Sequence, residues 1–275
     1  MTTTDLQDLA QRVRKSVIAE SYRARVGHIG SALCIADILA VLFGRAMNLQ
    51  GEHDRDRFVL SKGHAALALY AALAATDRMS PEYLETFCSD GTALGAHPEH
   101  VVAGIDFSTG SLGHGLSIGA GAALGARLQG SDRRTFVLLS DAELNEGSVW
   151  EAAMFAAHQR LGGLVAILDL NGQQALGYTR DVLDLDPVSE RWRSFGWAVE
   201  EVDGHDMEQL SRSLDLQGPT QAQPRIVIAK TTFGKGVSYM ESRIEWHYLP
   251  MSDEQYTQAI EELDNALPYR EGARP

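Results

Sequence analysis

Apolar residues along this chain occur in two patterns, short unbroken runs and longer segments with helical periodicity. The short runs predict buried strands at residues 57–61, 136–140, 164–170, 197–202 and 225–231. The periodic segments predict helices over residues 5–24, 34–44, 81–87, 147–161, 187–195, 206–216 and 252–266. Because strands alternate with helices, we expect right-handed crossovers and an α/β fold: a mostly parallel sheet with helices on both faces.

Two of the predicted strands end next to polar side chains that can bind a ligand. Asp141 follows the run VLLS, and Asn171 follows the run LVAILDL. Parallel strands joined by a helix have their carboxyl ends at one edge of a sheet, where ligands bind, so we expect the two side chains to meet. Carboxylate, amide and backbone carbonyl oxygens suit a magnesium ion that carries a diphosphate. For this pair alone a structural interpretation stays open, in which Asp141 caps a helix and Asn171 forms a turn with Gly172.

Size and charge narrow the class of protein. At 275 residues and 30.0 kDa the chain can bury a full core, and we expect one domain over residues 1–275. The formal charge of −13 argues against a nucleic-acid or anionic-membrane partner, although backbone amides and a metal can still neutralise a bound phosphate. Cys34 and Cys88 have no metal-like spacing, and we find no apolar signal core and no membrane-length apolar run. These features predict a soluble, cytoplasmic protein.

Several separated motifs, taken in order, resemble the amino-terminal region of transketolases. They are GHIGSALCIADIL (27–39), DRFVLSKGHAALALYAALA (56–74), GAHPE (95–99), TGSLGHGLSIGAGAALGARL (109–128) and GKGVSYMESRIEWH (234–247). Asp141 and Asn171 also lie thirty positions apart, as the two ends of the thiamine-diphosphate fingerprint do in transketolases. The resemblance implies a thiamine-diphosphate-binding domain of the diphosphate (PP) type, with thiamine diphosphate and Mg²⁺ as cofactors, or Ca²⁺ or Mn²⁺ as the ion.

The resemblance also implies roles for individual residues. The implied metal ligands are Asp141, Asn171 and the main-chain carbonyl of Gln173. The implied catalytic residues, which contact sugar hydroxyl groups and stabilise developing charge, are His28, His97 and His247. The implied cofactor-binding residues are His64, Gly110, Ser111, Leu112, Ala142, Glu146, Asn171 and His247. Glu146 and Glu151 would also lie near a subunit interface that links two cofactor sites, and a solvated helix face is the alternative for both.

The chain departs from the family fingerprint at three positions. Ser140 and Ala142 stand where the GDG motif has glycines, and Leu170 stands where Asn or Asp precedes the second ligand. Glycine permits a positive φ and a close approach of the backbone to a ligand. Ala142 therefore fits beside a diphosphate only if its φ is negative. A further local pattern, Ser148 with Glu151, has the spacing of a capping box for the helix at 147–161.

The remaining candidates are assigned more conservatively. The histidines expected to be structural or solvated are His53, His100, His158 and His205. His114 is left open, and KTTFGK (230–235) suits either a cation near phosphate or a surface turn. GAGAALG (119–125) superficially matches a dinucleotide-binding motif, but it lies within a predicted helix and no strand precedes it, which argues against a nicotinamide site.

The resemblance implies that half of the active site lies elsewhere. In transketolases a glutamate of a separate pyrimidine-binding domain assists the cofactor, and we expect that domain and a C-terminal domain on a second subunit. The expected assembly is a two-fold heterotetramer that transfers a two-carbon ketol unit from a ketose or ketose phosphate to an aldose. Two alternatives stay open, a related thiamine-diphosphate-dependent ketol or acyl transferase of specialised metabolism and a non-catalytic stabilising subunit. A 2-oxoacid dehydrogenase subunit fits the SKGHA, GAHPE and GSLGHG segments less well.

Overall fold

The computed structural model of the protein describes residues 1–51, 53–215 and 223–266. The helices α1 to α11 are, in chain order, Thr3–Ala24, Ile29–Leu33, Ala36–Val41, Ala66–Ala75, Pro81–Leu84, Gly115–Leu128, Gly147–His158, Thr179–Leu183, Val188–Ser194, Met207–Leu214 and Asp253–Asn265. The strands β1 to β7 are Arg57–Leu60, Thr135–Ser140, Leu164–Leu170, Gln173–Gln174, Gly177–Tyr178, Ala198–Asp203 and Arg225–Lys230. Single turns of tighter or wider helix lie at Leu42–Ala46, Gly63–Ala65, Ala142–Asn145 and Ile244–His247.

Five of these strands form one parallel sheet in the order β1-β2-β3-β7-β6. β3 is the central strand, and its register pairs Ile167 with Leu138 of β2 and Asp169 with Ser140. Because every neighbouring pair in this sheet is parallel and helices connect the strands, the predicted α/β fold is confirmed. A small antiparallel ribbon of β4 and β5 follows β3 and is absent from the sequence prediction.

Both faces of the sheet are buried, as predicted. On one face Val165 and Ile167 of β3 pack with residues of α1, α3, α4 and α10. On the other face Leu164, Ala166 and Leu168 pack with residues of α6, α7 and α9. Alternate side chains of β3 therefore pack into two cores, one on each face of the sheet. Burying each aliphatic side chain stabilises the fold by about 1.5–3 kcal/mol.

The predicted helix over 34–44 begins two residues too early, because α3 begins at Ala36 and continues into the wider turn Leu42–Ala46. α2 ends at Leu33, and Ile35 leaves helical geometry (φ −96°, ψ 3°) before α3 begins. At this break the Cys34 thiol donates to the Asp169 carboxylate in the sheet, at 3.2 Å. A buried polar contact thus coincides with the interruption, which an apolar pattern does not reveal. The predicted helices 81–87 and 147–161 end early, at Leu84 and His158, and the last residue of the predicted helix 206–216 lies outside the described residues.

One segment passes a length and composition test for a membrane span. It is Ile29–Ala46, and 89% of it is buried inside the protein itself. Its apolar residues belong to the core cluster with α1 and α4, so packing within the domain accounts for its composition.

The predicted capping box at α7 is wrong. The helix begins at Gly147, so Glu146 is its N-cap residue, and the Glu146 side chain makes no capping hydrogen bond. Ser148 lies within the first turn, and its hydroxyl instead donates to the Gly113 carbonyl at 2.9 Å. The side chain therefore ties α7 to the loop before α6, a contact that spacing alone does not predict.

Candidate active site

Asp141 and Asn171 lie at the same edge of the sheet, at the carboxyl ends of β2 and β3. The Asp141 carboxylate accepts hydrogen bonds from the Gly172 amide (2.7 Å) and the Thr179 hydroxyl through Oδ2. Its Oδ1 accepts from the Ala142 amide at 2.9 Å. The turn after β3 is thus fastened to the residue after β2, and the structure brings the two predicted metal ligands together. Their role as ligands stays a prediction.

Asn171 and Gln173 complete the predicted set of oxygen donors. Asn171 Nδ2 donates to Asp169 at 2.7 Å, and Asn171 Oδ1 accepts from the Gln173 amide at 2.9 Å. The Gln173 side chain is buried, and its Oε1 is among the buried polar atoms of the described residues that have no hydrogen-bond partner. A cavity of about 500 Å³ opens beside these residues, lined by Asp141, Asn171 and Gln173 together with Arg180.

The donor set fits a hard divalent cation. Burial, and then the charge of Asp169, raises the pKa of Asp141 to about 7, because these two effects outweigh the three hydrogen bonds that favour the anion. A bound cation would favour the anion as well. Within the described residues no three His, Cys, Asp or Glu side chains cluster to hold a metal, so a site here would depend on amide and carbonyl oxygens.

Ala142 has the negative φ that a position beside a diphosphate requires of a residue other than glycine. It begins the turn Ala142–Asn145, and neither it nor Ser140 is among the described residues with a positive φ. Asp141 also accepts a hydrogen bond from the Ala142 amide, so both of the interpretations weighed for this residue, capping and ligand binding, are compatible with its geometry.

Glu143, rather than the predicted Glu146, is the buried glutamate near this edge. Glu146 is exposed, whereas Glu143 accepts from the Ser61 hydroxyl, from the Gly113 amide at 2.8 Å and from the Ser140 amide at 3.2 Å. Burial raises the pKa of Glu143. Glu143 thus links the segments of Ser61, Gly113 and Ser140 at this edge of the sheet. The sequence did not distinguish it from Glu146, because both glutamates suit the start of a helix.

Four predicted histidines lie near one another, at graded depth. His247 is buried, His64 is partly buried, and His28 and His97 are exposed. The ring centroids of His28 and His64 are 5.4 Å apart and those of His64 and His247 are 6.5 Å apart. His97 lies close enough to lower the pKa of His28, after the effect of burial. Two of the four histidines are therefore deep in the fold and two are accessible from solvent.

The deeper pair is uncharged at neutral pH. Burial, followed by the Lys62 ammonium, lowers the pKa of His64 well below its ordinary value and that of His247 to about 4. His64 Nε2 is hydrogen-bonded with the Ser31 hydroxyl at 2.8 Å, and His247 stacks on Phe233 at 4.4 Å between centroids. His247 Nε2 is another buried atom without a partner in the described part of the chain. A neutral imidazole can donate or accept one hydrogen bond at that nitrogen, so His247 can still take a ligand.

The loop that contains Gly110, Ser111 and Leu112 lies beside His97, since a Cβ at Gly110 would be 3.7 Å from the His97 ring. Thr109 donates to the Leu60 carbonyl at the end of β1 (2.6 Å), which fixes the start of the loop. Ser111 is exposed and Leu112 is partly buried. The loop therefore presents backbone and a partly apolar surface at the sheet edge, where a flat ring can contact it.

Residues assigned conservatively are largely structural. His205 is hydrogen-bonded to Asp37 at 2.7 Å, and its second nitrogen accepts from the Thr232 amide at 2.8 Å. Lys230 and Lys235 form ion pairs with Glu201 and Glu241 at the surface, which favours the surface interpretation of the segment 230–235. His114 is exposed and immediately precedes α6.

Comparison with known sequences gives a consistent result over almost the whole chain. The family described as "Transketolase, thiamine diphosphate binding domain" matches residues 6–266. An apulose-4-phosphate transketolase subunit of Phocaeicola vulgatus is 40% identical over 269 residues, 96% of this chain and 95% of that protein. The 6-deoxy-6-sulfo-D-fructose transketolase subunit SqwG of a Clostridium species is 38% identical, over 94% of this chain and 96% of that protein.

Longer transketolases match over part of their length. Human transketolase is 38% identical over 265 residues, 94% of this chain but 42% of that protein. Among solved structures, the transketolase of Campylobacter jejuni superposes with a TM-score of 0.88 at 29% identity, covering 96% of this chain and 43% of that chain.

Proposed function

The chain belongs to the transketolase family, through its thiamine-diphosphate-binding domain, and on this premise we propose that it is the cofactor-binding subunit of a two-chain transketolase. The proposed reaction moves a two-carbon ketol unit from a ketose, free or phosphorylated, to an aldose. The observation that carries the proposal is two adjacent groups of residues, Asp141, Asn171 and Gln173 in one and His64 and His247 in the other. Lys62 lies between them, since it pairs with Asp169, two positions before Asn171, and lowers the pKa of both histidines.

The proposed metal site uses oxygen atoms at this edge of the sheet. Asp141, the Asn171 side chain and the Gln173 main-chain carbonyl would hold Mg²⁺, with Ca²⁺ or Mn²⁺ as substitutes, and the ion would carry the diphosphate. Thiamine diphosphate, when bound, supplies a ring that stores the electron pair released by carbon–carbon cleavage. Ala142 and the loop residues Gly110 to Leu112 would contact that cofactor, and Glu146 would lie at the interface beside it.

The histidines divide into two proposed roles. His64 and His247 are neutral and deep, so they would donate hydrogen bonds to the diphosphate without adding charge. His28 and His97, which are exposed, would bind the hydroxyl groups of the sugar and move protons at its oxygens. His247, between the two groups, would also stabilise negative charge that develops on the substrate oxygen.

A second subunit is part of the proposal. The relatives from Phocaeicola and Clostridium carry "subunit" in their names and match this chain over nearly their full length, which supports a partner bearing the pyrimidine-binding and C-terminal domains. We propose a two-fold heterotetramer in the cytoplasm. Both cysteines of the chain are free thiols, which suits a reducing compartment.

The test is reconstitution with the partner subunit, the product of a neighbouring gene, whose pyrimidine-binding domain contains the glutamate that assists the cofactor. The complex, with thiamine diphosphate and Mg²⁺, should transfer a ketol unit from fructose 6-phosphate or another ketose to an aldose, and this chain by itself should not. Full turnover by the purified chain alone would contradict the proposal that a second subunit is required. A complex that binds neither cofactor would contradict the proposal as a whole, including its catalytic role.

A second candidate function is ketol transfer from an unusual ketose of specialised metabolism. Two of the relatives are named for apulose 4-phosphate and for 6-deoxy-6-sulfo-D-fructose. A panel with these ketoses and fructose 6-phosphate as donors separates the candidates by kcat/KM. A preference of at least tenfold for an unusual ketose would favour specialised metabolism, and a preference for fructose 6-phosphate would contradict it.

A further inference from the structure

A buried ion pair lies directly behind the proposed metal site. Lys62 Nζ is 2.5 Å from Asp169 Oδ2, and both side chains are fully buried. Lys62 also donates to the Ser31 carbonyl at 3.2 Å. Asp169 belongs to β3, two positions before Asn171, and the proposed chemistry gives neither member of the pair a part. Burying two charges is costly, so their retention beside a ligand site calls for a function.

Asp169 organises its surroundings through both carboxylate oxygens. Oδ1 accepts from the Thr231 hydroxyl, at the end of β7. Oδ2 accepts from Lys62, from the Cys34 thiol and, at 2.7 Å, from Asn171 Nδ2. As an ionised carboxylate is only an acceptor, the group facing it from Asn171 must be the amide NH₂.

This contact decides which way the Asn171 amide faces. An asparagine amide has a donor end and an acceptor end of nearly equal size, and its hydrogen bonds select the orientation. With Nδ2 held by Asp169, Oδ1 is directed toward the Gln173 amide and the cavity edge. The reverse orientation would present an NH₂ group to a cation and remove one oxygen donor from the site.

We propose that Asp169, held in place by Lys62, is a positioning residue that orients the Asn171 amide oxygen for metal binding. The inference rests on the proposed function, because Asn171 is a ligand only if the site binds a cation. Residues behind a metal ligand commonly act in this way, and their removal typically weakens metal affinity by about 10–100-fold.

Two double variants separate orientation from charge. Lys62→Met with Asp169→Leu removes the ion pair and the acceptor for Asn171. Lys62→Met with Asp169→Asn removes the same ion pair, while the Asn oxygen can still accept from Asn171 and its NH₂ can face the Thr231 hydroxyl. Both leave the net charge unchanged, and neither strands a buried charge. Replacement of a buried ion pair by neutral groups is often tolerated by the fold.

The measurement is Mn²⁺ affinity, from the electron paramagnetic resonance signal of free Mn²⁺, with the complex of the full chain and its partner at fixed thiamine diphosphate. The leucine variant should bind Mn²⁺ about 10–100-fold more weakly than the native chain, and the asparagine variant within about threefold. Circular dichroism melts establish that each variant is folded. If the leucine variant does not fold, Asp169→Ala in the same Lys62→Met background takes its place.

Each other outcome counts against the inference. Native-like affinity in both variants would mean that Asn171 needs no orienting partner. Equal loss in both folded variants would mean that the ion pair, and not the acceptor, matters. Failure of the native complex to bind Mn²⁺ would contradict the proposed function itself, and so is distinguishable from a failure confined to Asp169.

Discussion

At this site, burial and neighbouring charges determine the protonation state of a side chain more than its residue type does. The pKa values of His247 and His64 are lowered because both imidazoles are buried and lie near the Lys62 ammonium. The resemblance to transketolases selected histidines that the fold brings together, since a bare histidine count offers nothing to distinguish them. It could not supply their protonation state, because that depends on depth and on neighbours distant in sequence.

The lowered pKa of His247 predicts a pH-dependent stability. The imidazole titrates near 6.5 in the unfolded chain and about 4 in the fold, so between these values the unfolded state binds more protons. Stability therefore rises with pH from 4 to 6.5 and is flat above. Between about pH 7 and pH 5 this residue should account for a loss of about 2 kcal/mol. Urea unfolding at both pH values should show a smaller loss in His247→Phe, and an equal loss in both proteins would contradict the lowered pKa.

The exposed His97 should affect the reaction rather than the fold. In the reconstituted complex, His97→Ala should lower kcat/KM for a ketose donor by about 10²-fold, the usual effect of removing one proton-transfer group, with the melting temperature unchanged. His100→Ala is the matched control, because His100 is also exposed and bonds to Ser108 in the same loop region. An unchanged rate in His97→Ala would remove this residue from the substrate site.

At the scale of elements, the strands could be predicted because the sheet is buried on both faces. Such strands appear in sequence as continuous apolar runs, and β2, β3 and β7 have nearly the predicted bounds. The ribbon of β4 and β5 escaped prediction because two-residue strands carry no periodicity. The break between α2 and α3 escaped because it coincides with a contact of Cys34 with Asp169, 135 positions away, which a local pattern does not show. Glu143 could not be told from Glu146 for the same reason: only the tertiary fold buries it.

Two glycines of α6 should respond in opposite directions to the same substitution. A Cβ at Gly119 would lie 2.2 Å from Val137 Cγ2 in β2, whereas a Cβ at Gly121 meets nothing within 4 Å. Gly119→Ala should therefore destabilise the domain by about 1–3 kcal/mol through overpacking. Gly121→Ala should stabilise it by up to about 1 kcal/mol, because alanine favours helix. Denaturant unfolding of both variants measures this, and similar values would contradict the close packing of α6 on the sheet.

At the scale of the whole molecule, the fold collects its candidate ligands at one end of a sheet. The topology places Asp141 and Asn171 together because β2 and β3 are parallel neighbours, a result that strand order alone predicts. Lys62 follows β1 and Glu143 follows β2 at the same edge, but their burial and their partners Asp169 and Ser61 depend on tertiary contacts that no local pattern encodes. Topology thus sets where these residues lie, and tertiary contacts set their burial, which raises the pKa values of Asp141 and Glu143. A raised pKa means that ionising either carboxylate weakens the fold.

This effect of ionisation gives a prediction in which stability and ligand binding change in opposite directions. The raised pKa of Asp141 means that its ionisation costs free energy, so without metal Asp141→Asn should stabilise the chain at about pH 7.5 by about 1–3 kcal/mol. In the native complex, thiamine diphosphate with Mg²⁺ at a hundred times its Kd should add about 2.7 kcal/mol, and a chelator should remove it. Asp141→Asn should lose most of that gain, whereas Asp181→Asn, at an exposed carboxylate on α8, should keep it. Thermal melts of the complex, with and without ligand, measure both effects. An Asp141→Asn complex that is less stable without ligand and equally stabilised with it would show that Asp141 only caps the turn that follows β2.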